Sequence, residues 1–151
     1  MNTTTGQSVA SVVSALLDNR WRHARTQEEV EALVDDLVRA SLPHWGTQLY
    51  LADQPVDRYS DPSTRLVVSV DPDQGAGALS YHDYRPDGGA WDSLAATTSP
   101  GAPALVYDPH GGSRYRPSST LPLAQVEQAV REFLTDGERP SCLSWQDAEV
   151  V

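Results

Sequence analysis

Apolar residues recur at Val30, Leu33, Val34, Leu37 and Val38. The spacing i, i+3, i+4, i+7, i+8 predicts an amphipathic helix running to about Ala40. Thr26 and Glu29 stand three apart at its start, the spacing of a capping box, in which each side chain serves the other residue's backbone N–H. The same period returns at Leu123, Val126, Val130, Phe133 and Leu134. Pro122 suits the first position of this second helix, because its missing N–H would have no partner there. Gly137 is placed to end it in a left-handed conformation. Pro140 then prevents the helix from resuming, and residues 142–145 read as a short strand.

Between the helices the period changes to two. Residues 48–52, 65–70, 77–84, 90–94, 104–108 and 114–116 read as strands; within 65–70, Leu66, Val68 and Val70 alternate with Val67 and Ser69. The segments joining them, at 71–77, 86–89 and 109–112, are rich in the Gly, Asp and Pro that turns use. Short strands joined by tight turns form an antiparallel meander. Residues 9–23 fit two patterns. Val9, Val12, Val13, Leu16 and Leu17 make a helical stripe, while Val12, Val13 and Trp21 suit a strand. A strand over 13–23 is preferred, since a helix start follows at once. The whole is an α+β fold: a single domain over residues 9–151, with two helices packed on one face of an antiparallel meander sheet, after a flexible tail at 1–8.

Charge narrows the partners. In 151 residues, 11 basic side chains, all arginine, face 21 acidic ones, a formal net charge of −10. Nucleic-acid binding draws its affinity from basic groups on phosphates, and anionic membranes also demand basic patches, so both are disfavoured. An acidic surface suits a basic partner, and nucleic-acid enzymes are prominent basic partners; it also serves plain solubility. One cysteine, Cys142, permits no intrachain disulfide and no cysteine-rich metal site, and fits a reducing cytoplasm. The polar start has no secretory pattern, and the uncharged stretch 3–17 is too short to span a bilayer.

Catalytic patterns are hard to find. His23, His44, His82 and His110 have no metal-ligand spacing, so neither metal nor cofactor is expected. The Asp71–Gly75 stretch lacks the glycine and glutamate positions of a calcium loop and reads as a hairpin turn. Gly75 and Gly77 are followed by neither dinucleotide nor Walker spacing. Cys142 reads as a small core residue rather than a nucleophile. What stands out is a group of acids and aromatics, Asp71, Asp73, Tyr81, His82, Asp83, Tyr84, Asp87, Trp91 and Asp92, taken together as a candidate partner-binding surface. In a strand Tyr81 and Asp83 share one face while His82 and Tyr84 share the other. The aromatics equally suit the core beneath the helices. A second candidate is the acidic helix face of Glu28, Glu31, Asp35 and Asp36.

Four pieces of the chain carry a resemblance: the capped helix TQEEVEALVDDLVRA, the strands LVVSVD and GALSYHD, the tryptophan strand AWDS, and the ending LPLAQVEQAVREFLTDGERPSCLSW. In this order they resemble the family numbered one among the immunity proteins of bacterial polymorphic toxin systems. The resemblance implies a non-catalytic protein that binds and neutralises a cognate toxin domain, often a deaminase or nuclease. Joined to the net charge of −10, it leads to the expectation that the protein occludes the toxin's active site. Its recurring positions, here Gly75, Gly77, Trp91 and Trp145, suit a structural role as well as a binding one. Two other classes compete. A non-catalytic adaptor, whether a homodimer or a secretion chaperone, requires a self-associating or broadly apolar surface. A small hydrolase using paired carboxylates requires a deep pocket holding a carboxylate of raised pKa.

Overall fold

The computed structural model describes residues 8–17, 19–39, 46–98, 101, 105–108 and 113–149. The first seven tail residues, residue 104, the 109–112 turn, and His44 and His110 lie outside the described residues. The elements are β1 (Ser8–Leu17), β2 (Arg20–Thr26), α1 (Gln27–Arg39), β3 (Thr47–Ala52), β4 (Thr64–Asp71), β5 (Ala76–Asp83), β6 (Ala90–Leu94), β7 (Val106–Asp108), β8 (Ser113–Arg114), β9 (Leu121–Pro122), α2 (Leu123–Asp136) and β10 (Ser144–Asp147). Eight strands form one antiparallel sheet in the order β10-β6-β5-β4-β3-β1-β2, with β9 beside β5; β7 and β8 form a separate small ladder. Strands β3 to β6 are the expected meander.

The start of the chain differs from the expected single strand over 13–23. Residues 8–26 form the β1–β2 hairpin, turning at Asn19 with φ 61°. Asparagine tolerates this left-handed geometry better than most residues, which lets the chain reverse there. The capping box is present: Glu29 N–H donates to Thr26 Oγ1 and Thr26 N–H to Glu29 Oε1, both at 3.1 Å. The second helix begins at Leu123, not Pro122. Leu121 and Pro122 instead pair with Gly77 and Ala76, and proline is tolerated in so short a strand at its edge. Gly137 ends α2 as expected, with φ 73° and its N–H on Phe133 O at 2.7 Å. The last strand is Ser144–Asp147, so Cys142 precedes it and is exposed, which corrects its placement in the core.

Both helices cover the same face. Val30, Leu33, Val34 and Leu37 of α1, and Val126, Ala129, Val130 and Phe133 of α2, meet Val13, Ala15, Leu49, Leu66, Val68, Leu79 and Tyr81 of the sheet. This is the main apolar core, and its burial supplies the chief driving force for the fold. The Arg131 guanidinium of α2 ties the helices together by gripping both Glu31 oxygens at 2.7 and 2.8 Å. Arg22 of β2 holds Asp36 of α1 at 2.6 Å. Among the described residues the opposite face carries no α-helix. Short segments partly cover it: Leu105 and Tyr115 pack on Ala78, and the β3–β4 loop seats Val56 over β1. Edge strand β2 carries Arg20, Arg22 and Arg25, and charges on an edge oppose pairing with a stray strand. No helix among the described residues is long and apolar enough to cross a membrane.

Candidate functional site

Strand alternation divides the group of acids and aromatics singled out in the sequence. On the helix side, Tyr81 is 2% exposed, with ring centroids 6.0 Å from Trp91, 6.2 Å from Phe133 and 6.4 Å from Trp145. Burial, then the nearby Glu138 and Asp83 charges, push its phenol up to about 12. Tyr81 is therefore chiefly a core residue, reaching the surface only at the floor of a hollow. Trp91 is half-buried beside it, with the Arg139 guanidinium 4.6 Å over its ring. With Asp83 and Glu138 they line a shallow hollow of about 330 Å³. Arg85 joins its rim, bonding Asp83 at 2.9 Å and Glu138 at 2.8 Å, and its hydrogen bonds hold both carboxyls below their ordinary range.

On the helix-free side, the His82 and Tyr84 rings stack at 6.1 Å, and the Arg65 guanidinium lies 5.9 Å from the Tyr84 ring. His82 is buried; desolvation, then the Arg65 charge, lower its pKa to about 4, so it is neutral at pH 7. Tyr84 is 54% exposed. Asp92 is fully buried and accepts from Ser80 Oγ at 2.7 Å, Glu149 N–H at 3.1 Å and Arg116 Nη2 at 3.3 Å. Its work is to fasten β6 to its neighbours. Asp87 is exposed in the β5–β6 turn with φ 63°, a geometry in which aspartate is more tolerable than most residues.

Asp71 and Asp73 do not join these residues. Asp71 ends β4 and Asp73 lies in the β4–β5 turn, while Asp83 ends β5 and Asp87 follows it in the β5–β6 turn at the other end of the sheet. Seven steps along β5 at ~3.4 Å each place the two groups roughly 24 Å apart. Exposed Asp73, Asp87 and Tyr84 and partly exposed Asp71 and Asp83 thus belong to two separate ends of the sheet. The acidic helix face is also divided, since Glu31 and Asp36 are engaged with Arg131 and Arg22, whereas Glu28 and Asp35 are exposed.

Sequence reasoning missed residues on the helix-free side. Trp21 lies 5.8 Å from Tyr50 and 6.3 Å from His23, and Tyr50 donates its hydroxyl to Gln48 Oε1 at 2.7 Å. The alternation in Arg20-Trp21-Arg22-His23 holds this signal, once β2 is read as its own strand. Tyr59 was also passed over: it is 80% exposed in the loop between β3 and β4. An isolated aromatic in the polar run 57–63 is the signal for it.

The carboxyls with displaced titration, Glu29, Glu31, Asp83, Glu132 and Glu138, are all lowered, each chiefly by hydrogen bonds from backbone N–H groups or arginines. They hold negative charge and are weak proton acceptors. The Cys142 thiol is pushed up to about 11 by partial burial and by Glu132, so little thiolate forms at pH 7. No group of three or more His, Cys, Asp or Glu residues suited to a metal occurs among the described residues. A hollow of about 430 Å³ opens between the helices and the sheet; it has an apolar floor of Val13, Val30, Val34 and Leu51 and the Glu31–Arg131 pair at its rim. Comparison with curated proteins finds no match. The family model described as immunity protein Imm1 matches residues 19–147.

Proposed function

The chain belongs to the Imm1 family of immunity proteins, and on that premise we propose that it neutralises a cognate toxin domain by binding over its active site, without chemistry of its own. The observation that carries this reading is the extent of the family match, which runs through every element from β2 to β10. The toxin we infer is an enzyme acting on nucleic acid, such as a deaminase or nuclease. Such an enzyme needs a basic groove for its substrate. A domain of net charge −10 competes for that groove.

Electrostatics supports the match of partners. Asp71, Asp73 and Asp87 contribute to a net charge of −10 at neutral pH. Complementary fields raise association rates, which matters for an inhibitor that must capture a toxin before it acts. The partly exposed Asp71, Asp83 and Trp91 and the exposed Asp73, Asp87 and Tyr84 are the members of the sequence-derived group that offer surface to a partner. The test is titration of the purified toxin domain with this protein while nucleic-acid turnover is followed. Stoichiometric loss of turnover, with an association rate that falls as salt rises, supports the reading. Undiminished turnover at several-fold excess of folded protein refutes it.

A further inference from the structure

We propose that the β3–β4 loop is the part of this protein that enters the toxin's basic cleft, with Tyr59 as its anchor. This rests on the toxin-binding reading above and deepens it. Tyr59 is 80% exposed, the most of any large apolar side chain among the described residues. An isolated exposed aromatic is ordinary on a protein surface. This one differs in how it is held.

The loop is braced at three points. Val56, 3% exposed, is seated in the protein, and its N–H donates to Ser14 Oγ at 2.9 Å. Ser14 is itself fully buried on the helix-free face, 2.8 Å from His23 Nδ1. The tip closes on itself: Asp57 N–H donates to Ser60 Oγ and Ser60 N–H to Asp57 O, both at 3.0 Å, and Tyr59 N–H donates to Asp57 Oδ1 at 2.9 Å. At the exit, Tyr84 N–H donates to Ser63 O at 2.8 Å, which brings the end of the loop beside the second exposed tyrosine. Arg58 lies 4.8 Å over the Tyr59 ring and donates to its hydroxyl at 2.7 Å, so the side chain is also held. Binding therefore immobilises little that is not already fixed, and such preorganisation favours affinity.

Charge names the occupant. The same loop carries exposed Asp53, Asp57 and Asp61, which outnumber Arg58, whose guanidinium is engaged with the Tyr59 ring. An aromatic anchor on an acidic loop complements a groove lined with lysine and arginine, and mimics the stacked base and phosphates such a groove accepts.

The experiment uses the full chain and its cognate toxin domain, purified as an inactive variant, with Kd and association rate measured for four proteins. These are the wild type, Tyr59→Ala, the double variant Asp53→Asn with Asp61→Asn, and Tyr84→Ala. The exposed Tyr59 makes no core contact, so thermal unfolding of Tyr59→Ala should match the wild type and confirm an intact fold. Expected is a Kd about 30-fold weaker for Tyr59→Ala, the size of a hot-spot loss. The double aspartate variant should associate more slowly with less salt dependence. If wild type binds tightly and both the Tyr59→Ala and the double variants bind equally well, the loop proposal is overturned and toxin binding stands. A loss confined to Tyr84→Ala overturns it too and moves the contact to the β5 end. If wild type does not bind, the toxin-binding reading fails and takes the loop proposal with it.

Discussion

A Cβ added to Gly77 of β5 would stand 2.8 Å from Val126 Cγ2 of α2 and 2.9 Å from the Ser69 carbonyl oxygen. The absent side chain lets α2 settle directly onto the sheet, and the backbone of β4 on the other side cannot yield. Gly77→Ala should therefore destabilise the fold by about 1–3 kcal/mol, the cost of overpacking a filled core. Gly89→Ala meets only the Trp91 ring, at 3.4 Å, and should cost much less. Urea unfolding of the two variants checks the contrast.

Asp92 distinguishes structural acids from binding acids. Its carboxylate is buried and holds Ser80, Arg116 and the Glu149 backbone. Asp92→Ala strands these partners and should lower stability by about 3–5 kcal/mol. The fraction that remains folded should bind the toxin with wild-type affinity. A folded Asp92→Ala protein with wild-type stability would remove the structural assignment.

His82 sets a pH dependence. Its folded pKa of about 4 lies below the ordinary 6.5, so the unfolded chain binds the extra proton between these values. Stability is full above about pH 6.5 and falls as pH drops towards 4, by about 2–3 kcal/mol for a shift of this size. Urea midpoints between pH 7.5 and 4.5 should decline for the wild type and decline less for His82→Gln. Equal slopes in the two proteins would contradict the assignment.

The Glu31–Arg131 pair joins the helices at a half-exposed site. Screening by water limits its value, so Arg131→Gln should cost no more than about 1 kcal/mol. That loss should shrink further in high salt, as measured by thermal unfolding with and without added sodium chloride.

How far the chain could be read follows from which interactions are local. Both helices were legible because their apolar stripes, the Thr26–Glu29 box and Gly137 act within a few residues. The meander was legible from alternation and turn chemistry. The β1–β2 hairpin was not, since Asn19 is a weak turn signal inside a run that also fits a helix. Pairing of Leu121 and Pro122 with β5 is a long-range contact that no local pattern announces. The candidate surface was legible only as composition. Alternation correctly separated Tyr81 from His82, but which face the helices cover was decided by the packing of α1 and α2, which sent Tyr81 into the core. Tyr59 escaped notice because its bracing by Val56 and Ser14 spans 42 residues of sequence.

The central claim is protection against a toxin, and a growth-rescue assay tests it most directly. The candidate cognate toxin domain is expressed in a sensitive host with and without the protein. The account predicts restored growth, together with a one-to-one complex recovered from the same cells. Persistent toxicity in cells containing abundant, folded, soluble protein would contradict it.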